Sequence, residues 1–162
     1  MAIRRGFLRA HLGASEGDIV TPDGQVLGRH DGYWNYTVGQ RKGLRIGAPA
    51  PDGRPRYVLE TRPDTNQVVV GASELLSISR ITATDAVWLA RDDDGADAAE
   101  LFVQLRAHGT PVPVASLTRD EEAATISVTL EGSARGVARG QSMVVYRGTR
   151  VLGEGTIEAT VR

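Results

Sequence analysis

The sequence predicts a mainly β protein. Three observations point to this class: many turn residues, with 19 glycines and 7 prolines among 162 residues; short apolar runs between those turns; and no convincing helical periodicity after residue 13. Only 5% of the residues are aromatic. We expect two small domains, over residues 1–75 and 76–162.

The first half of the chain is expected to begin with a short helix, Gly6–Gly13, which a glycine ends. Two apolar runs then flank Pro22-Asp23-Gly24, and this is the strongest hairpin signal in the sequence. Strand propensity at Tyr33–Val38 and apolar runs at 56–61 and 67–71 predict three further strands. Residues 62–66 are expected to form a second hairpin turn, and the proline-rich stretch 48–55 a surface loop.

The second half of the chain is expected to consist of strands. Apolar stretches recur every 8–15 residues, with no helical pattern between them, which predicts a small barrel or sandwich. The predicted strands are 85–90, 101–107, 112–117, 124–130, 142–147 and 151–161. An exposed acidic loop is expected at 92–95, and the boundary between the halves near 73–81.

Composition excludes several classes of protein. The chain has no cysteine, which excludes a disulfide framework, a thiolate zinc site and a cysteine nucleophile on this chain. The three histidines show no ligand spacing, so we expect no metal site. No apolar run approaches the 18 or so residues of a membrane helix, and residues 1–6 lack the apolar stretch of a secretory signal. We therefore expect a cytoplasmic protein.

Charge is unevenly distributed along a nearly neutral chain. The net charge is −1, but residues 1–80 carry eleven cations against eight acids, and residues 29–56 carry six against two. Eighteen of the nineteen cations are arginine, which suits bidentate contact with phosphate. This basic stripe permits a nucleic-acid contact, although coding bias would also give an Arg-, Ala- and Gly-rich chain.

The densest candidate motif is Gly39–Leu44, with the sequence GQRKGL. Its glycines allow a ligand close to the backbone, and Gln40, Arg41 and Lys42 offer donors. The spacing is not that of a nucleotide-hydrolase phosphate loop. The alternative is a solvated basic turn.

Other candidate residues have weaker signals. Alternation in 101–106 places Arg106 on an outer sheet face with Phe102 and Gln104, and Gln141 ends a glycine-bounded turn before an apolar strand. A solvated face and a plain turn are the alternatives. His30 beside Asp31 suggests a general base, but adjacent strand residues point to opposite faces, so a packed or solvated histidine is expected.

These motifs resemble a known family. Residues 17–71 carry, in order, DG-VLG-H-G, YTVGQRKGL-IG, RYVLE and N-VVVG, and this order is similar to the central domain of bacterial tRNA-specific 2-thiouridylases. Residues 101–157, with VQLRAHGTPVP and GVARGQSMVVYRGTRVLGEGTI, resemble the C-terminal β-barrel of the same family, which is like those of elongation factors.

The resemblance implies that catalysis belongs to a domain other than the two found in this chain. In the family, an N-terminal domain uses ATP, with Mg, to activate the C2 oxygen of the wobble uridine of tRNA. Sulfur then comes from a persulfide on a catalytic cysteine. This chain has no SGG-x-DSS nucleotide loop and no cysteine. We therefore expect that the catalytic domain is missing, that the chain starts just after it, and that the chain binds no cofactor and is inactive alone.

The family's RNA-contacting residues map onto few positions. Its barrel glutamine falls on Gln141, and its Arg-Tyr pair falls on Arg106 and Ala107, where the ring is absent. By charge, a basic loop of Gln40, Arg41, Lys42 and Arg45 is expected beside the anticodon arm.

The function expected is therefore to position tRNA for thiolation of the wobble uridine, with tRNA, the adenylating domain and a sulfur-donor protein as partners. The alternatives are a β-barrel adaptor that binds a protein such as a sulfur carrier, and a free-standing enzyme that uses His30 and Asp31.

Overall fold

The computed structural model describes residues 15–44, 46–47, 53–90 and 101–162. The chain divides into two compact units, Met1–Leu76 and Ser77–Arg162, and each contains its own apolar core. The predicted helix Gly6–Gly13, the acidic loop 92–95 and candidate residue Arg45 lie outside the described residues.

The first unit contains a four-stranded mixed sheet. Its strands are β1 (Gly17–Val20), β2 (Val26–His30), β3 (Tyr57–Arg62) and β4 (Gln67–Gly71), in the order β2-β1-β4-β3. β1 runs parallel to β4, whereas the pairs β1–β2 and β3–β4 are antiparallel. Both predicted hairpins are therefore confirmed.

Apolar side chains cover both faces of this sheet. Alternate residues of β4 point to opposite faces, so Val68 and Val70 pack in one cluster and Val69 in another. This explains why β4 is a continuous apolar run, as expected of a strand buried on both sides. Leu44 joins the first cluster and is only 6% exposed, so the end of the basic loop is anchored in this core.

The predicted strand at Tyr33–Val38 is wrong. The chain forms a short 3-10 turn at Tyr33–Asn35, and a second one follows β4 at Ser73–Leu76. Tyr33 and Tyr36, three residues apart, both pack against the core cluster of Ile19. A spacing of three fits a 3-10 turn, in which positions i and i+3 eclipse, and conflicts with the two-residue period of a strand.

The second unit is a closed six-stranded antiparallel barrel, which confirms the predicted fold class. Its strands are β5 (Ser77–Trp88), β6 (Leu101–Gln104), β7 (Val112–Asp120), β8 (Thr125–Arg135), β9 (Ser142–Arg147) and β10 (Arg150–Val161). They pair in the order β10-β5-β8-β7-β6-β9, and β9 pairs with β10 to close the circle. The largest side chains of the interior are Ile81, Leu101, Ile126, Met143, Leu152 and Ile157.

Several of the predicted strand boundaries in the barrel differ from the structure, and β7 and β8 end at Asp120 and Arg135 rather than at residues 117 and 130. β5 starts at Ser77 rather than at residue 85, because an irregularity between Ile78 and Arg80 interrupts the alternation that would have revealed it. β6 ends at Gln104 rather than at residue 107, because the chain turns away from the sheet directly after Gln104. Leu105 is nevertheless buried, so the inward and outward alternation predicted for 101–106 is correct.

Candidate nucleic-acid interface

The Gly39–Leu44 loop of the first unit is tied to the start of β3. The Gly39 N–H donates to the Val58 carbonyl over 2.8 Å, and the Val58 N–H donates to the Gln40 carbonyl over 2.9 Å. Gly39 and Gly43 have φ values of +88° and +77°, which favour glycine. The two glycines of the motif are thus required by the turn itself.

Gln40 organises this loop from within. Its side-chain Oε1 accepts a hydrogen bond from the Thr37 N–H over 3.1 Å, and its Nε2 donates to the Lys42 carbonyl over 3.0 Å. Both ends of the amide are therefore used inside the loop. Gln40 therefore stabilises the turn through both ends of its amide, and its predicted contact with RNA stays a prediction.

Arg41 and Lys42 are the exposed cations of this loop. Within the described part of the chain, neither takes part in an ion pair. Two other cations of the basic stripe are partly neutralised, because Arg29 lies 3.5 Å from Glu16 and Arg54 lies 3.8 Å from Glu74. Arg56 has no ion pair among the described residues either but is only partly exposed, so Arg41 and Lys42 are the exposed cations of the described stripe that lack one.

In the barrel, a surface groove brings together three residues that the sequence singled out: Arg106, Ala107 and Gln141. The end of β6 meets the start of β9, since Gln104 is the register partner of Val144 in this antiparallel pair. The groove has a volume of about 510 Å³. Its lining residues are Gln104, Leu105, Arg106, Ala107, Gln141, Ser142, Val144 and Tyr146.

Arg106 is exposed, yet it is held in place. One terminal guanidinium nitrogen, Nη2, donates to the carbonyls of Arg135 and Gly136, each over 2.7 Å. A Cβ atom at Gly136, where φ is +68°, would lie 2.6 Å from this nitrogen. The positive φ at 136 favours glycine, and the absence of a side chain there leaves room for the guanidinium of Arg106 in this position.

Gln104 also contributes to the groove, although no role was predicted for it from the sequence. Its Nε2 donates to the carbonyls of Arg106 over 2.9 Å and Ala107 over 3.3 Å, which turns the chain at the end of β6. The predicted alternation placed Gln104 on the face of Arg106. No local pattern indicates the turn that the amide stabilises. Ala107 is exposed and offers no ring to a ligand.

Gln141 closes the turn between β8 and β9. Its Oε1 accepts a hydrogen bond from the Ala138 N–H over 3.1 Å, and its backbone carbonyl accepts one from the Ile157 N–H over 2.8 Å. An ion pair between Arg139 and Glu158 further links this turn to β10. The amide oxygen thus takes part in the turn, whereas no hydrogen bond from Nε2 is found within the described part of the chain.

Comparison with known proteins identifies the family. Residues 5–72 match the tRNA methyl transferase PRC-barrel domain, and residues 78–157 match the aminomethyltransferase beta-barrel domain. The tRNA-specific 2-thiouridylase MnmA of Beutenbergia cavernae is 48% identical over 160 residues, which are 98% of this chain and 42% of that protein. The chain belongs to the tRNA-specific 2-thiouridylase family. The resemblance seen in the motifs is thereby confirmed.

Other members of the 2-thiouridylase family are equally similar. The MnmA proteins of Acidothermus cellulolyticus and Kineococcus radiotolerans are 49% and 51% identical over 156 and 157 residues. In both cases the match covers 96% of this chain and 42% of the relative. The chain thus spans less than half the length of the curated 2-thiouridylases it matches.

His30 is a packed histidine in this member of the family. It is only 4% exposed, and its Nδ1 accepts a hydrogen bond from the Gly32 N–H over 3.0 Å. Burial lowers the pKa of His30, while the Asn66 carbonyl and the carboxylates of Asp31 and Asp18 oppose this shift. An imidazole enclosed in this way is not accessible to a substrate, so its burial does not support the general-base hypothesis.

The described residues contain no group of three or more histidine, aspartate or glutamate side chains that could hold a metal ion. None of their helices is long and apolar enough to cross a membrane.

Proposed function

We propose that this chain holds tRNA for a tRNA-uridine 2-sulfurtransferase, which makes 2-thiouridine at the wobble position. The observation that carries the proposal is the groove in which Arg106 and Gln141, 35 residues apart, line one surface. Arginine suits phosphate oxygens and a side-chain amide suits base edges, so the pair combines the two kinds of contact found in nucleic-acid sites. The names of the relatives support tRNA as the ligand.

The basic loop of the first unit would add affinity without reading sequence. Arg41 and Lys42 are exposed and have no acidic partner among the described residues, so both are suited to displacing counterions from phosphates. Binding of this kind depends strongly on salt and weakly on base sequence. Most of the affinity would therefore be electrostatic.

The covalent chemistry would belong to other parts of a complete enzyme. The residues of this chain do not fit ATP or its Mg: the sequence has no phosphate-loop pattern, and the described residues hold no cluster of metal ligands. The chain also has no cysteine to carry a persulfide. The partners would be an adenylating domain, a sulfur-donor protein and tRNA in the cytoplasm.

A filter-binding titration of the purified chain against tRNA at several salt concentrations tests this function. Neutralising about three to five phosphates gives a slope of log affinity on log salt between about −2 and −5. The double variant Arg41→Ala/Lys42→Ala should weaken binding to all tRNAs and reduce the slope by roughly 1–2 units.

Arg54→Ala is the matched control, because Arg54 already pairs with Glu74 and should leave the slope unchanged. Absence of binding at low salt, or a double variant with wild-type affinity, contradicts the proposal. The chain supplied with ATP and a sulfur donor should form no thiouridine, and measurable product would show that it carries catalysis.

A protein partner is the second candidate, and one observation favours it. Val87 at the end of β5, Leu89 just after it and Val151 of β10 are 51%, 63% and 38% exposed. The Leu89 N–H donates to the carbonyl of Leu152, the residue next to Val151, over 2.8 Å. Exposed apolar side chains of this kind suit a protein surface better than a phosphate backbone.

A further inference from the structure

Half of the groove that contains Arg106 and Gln141 is apolar. The polar contacts proposed above do not involve this half. Along β9, Met143 and Val145 are buried in the barrel, so the alternate residues Ser142, Val144 and Tyr146 face outward. All three line the groove. The outer face of β9 therefore changes along its length from a polar end to an aromatic end.

The dimensions of this surface suit a short stretch of nucleic acid. Ser142 and Tyr146 are four residues apart, about 13 Å at roughly 3.3 Å per residue of strand. The groove volume of about 510 Å³ lies within the usual range for sites that enclose small ligands. Arg106 lies at the polar end, opposite the start of β9.

We propose that Tyr146 is a stacking platform for an unpaired base of the bound RNA, with Arg106 on a phosphate further along the same RNA strand. The inference rests on the proposed function and adds a ligand class to it: single-stranded nucleotides rather than a duplex. Proteins that bind single strands combine cationic side chains with aromatic rings, because every base offers a π-face. Tyr146 is the aromatic residue among those that line the groove.

A second cavity in the barrel contains an aromatic ring that is already covered by another side chain. This cavity, of about 280 Å³, is lined by Trp88 and Arg119 among others. The Arg119 guanidinium already lies 4.5 Å from the centre of the Trp88 ring, in a cation–π contact. That face of Trp88 is therefore covered, which makes Trp88 a matched aromatic control on the same barrel.

The experiment uses the whole chain with two probes, tRNA and the short unpaired RNA tetrauridylate. Tyr146→Leu should weaken tRNA binding roughly tenfold, the loss expected for one stacked base. The salt slope should not change, because a neutral ring releases no counterion. Tyr146→Phe, which keeps the ring, should retain wild-type affinity, and Trp88→Leu should also bind as wild type.

The tetrauridylate titration is followed by NMR and reports on the ring directly. The ring protons of Tyr146 should shift on addition of the oligonucleotide, and those of Trp88 should not. A wild-type chain that binds tRNA with the expected salt slope, but whose Tyr146 signals stay fixed and whose Tyr146→Leu variant is unimpaired, overturns this inference and leaves the proposed function standing.

The remaining outcomes distinguish the stacking site from the tRNA-holding role. A wild-type chain that binds neither tRNA nor tetrauridylate overturns both proposals together. Shifts of Tyr146 with the oligonucleotide, in a chain that does not retain tRNA, support the stacking site and contradict the tRNA-holding role. Thermal melting checks that Tyr146→Leu is folded; if it is not, the wild-type NMR titration decides.

Discussion

The basic loop of the first unit and the groove of the barrel use their polar residues in opposite ways. In the loop, the neutral amide of Gln40 stabilises the turn, while Arg41 and Lys42 project from it. In the groove, the cation belongs to the framework, because Arg106 bonds to the carbonyls of Arg135 and Gly136. Loss of a charge should thus affect only binding in the loop, but both binding and stability in the barrel.

Arg106→Ala gives the largest effect and tests this difference. The variant should lower the barrel's free energy of unfolding by about 1–2 kcal/mol, since two carbonyls lose a charged donor, and it should also weaken tRNA binding. Urea unfolding and filter binding measure the two effects. Arg41→Ala is the control, with a stability change within about 0.5 kcal/mol. Equal losses of stability in the two variants would remove the distinction between loop and groove.

Gln141→Ala should have a smaller effect and sharpens the comparison of the two amides. The variant should cost about 1 kcal/mol of tRNA binding, as one lost hydrogen bond, with no change in the salt slope. Gln40→Ala should instead act through the loop, because both ends of that amide are bonded within it. Its local hydrogen exchange should rise near Thr37 and Lys42. A reduced salt slope in Gln141→Ala would contradict the assigned contact.

The smallest effect concerns pH and separates the stabilities of the two units. Burial lowers the pKa of His30 below its ordinary value of 6.5, so below this pH the unfolded chain binds more protons than the folded one. The free energy of unfolding of the first unit should fall as the pH drops from about 6.5 towards the lowered pKa.

Hydrogen exchange of the first unit at decreasing pH, corrected for the intrinsic rate, measures this loss. His30→Gln should abolish the dependence in that range, whereas His108→Gln, at an exposed site of the barrel, should leave it intact. A first unit that becomes more stable on acidification would refute the assignment.

Local sequence signals predicted those parts of the fold that depend on neighbouring residues. The Pro22-Asp23-Gly24 turn and the alternation over 101–106 both came from patterns that a few adjacent residues determine. The prediction of a strand at Tyr33–Val38 was wrong. Aromatic residues favour strands, but here Tyr33 and Tyr36, at a spacing of three, pack against the core from a 3-10 turn. The early start of β5 was missed for a related reason, an irregularity in its pairing with β8.

The residues of the candidate site could be predicted from the sequence, but the hydrogen bonds that hold them in place could not. Arg106 and Gln141 were both named from the sequence, and their common groove follows from the register of β6 against β9. The bond from Arg106 to residues 135 and 136 spans two strands and leaves no local trace in the sequence. Gln104 and Tyr146 were missed because their roles depend on the turn and the groove that this tertiary pairing creates.

The closure of the barrel has a consequence for its biosynthesis. β5 pairs with β10, so 65 residues separate Trp88 from its partner Gly153 and 81 separate Arg80 from Val161. At about 5–20 residues per second, a ribosome needs roughly 3–16 s to bridge that gap. Throughout this interval the nascent chain exposes an unpaired edge of β5, which can pair with another chain. This edge becomes covered only when β10 has been synthesised and pairs with β5.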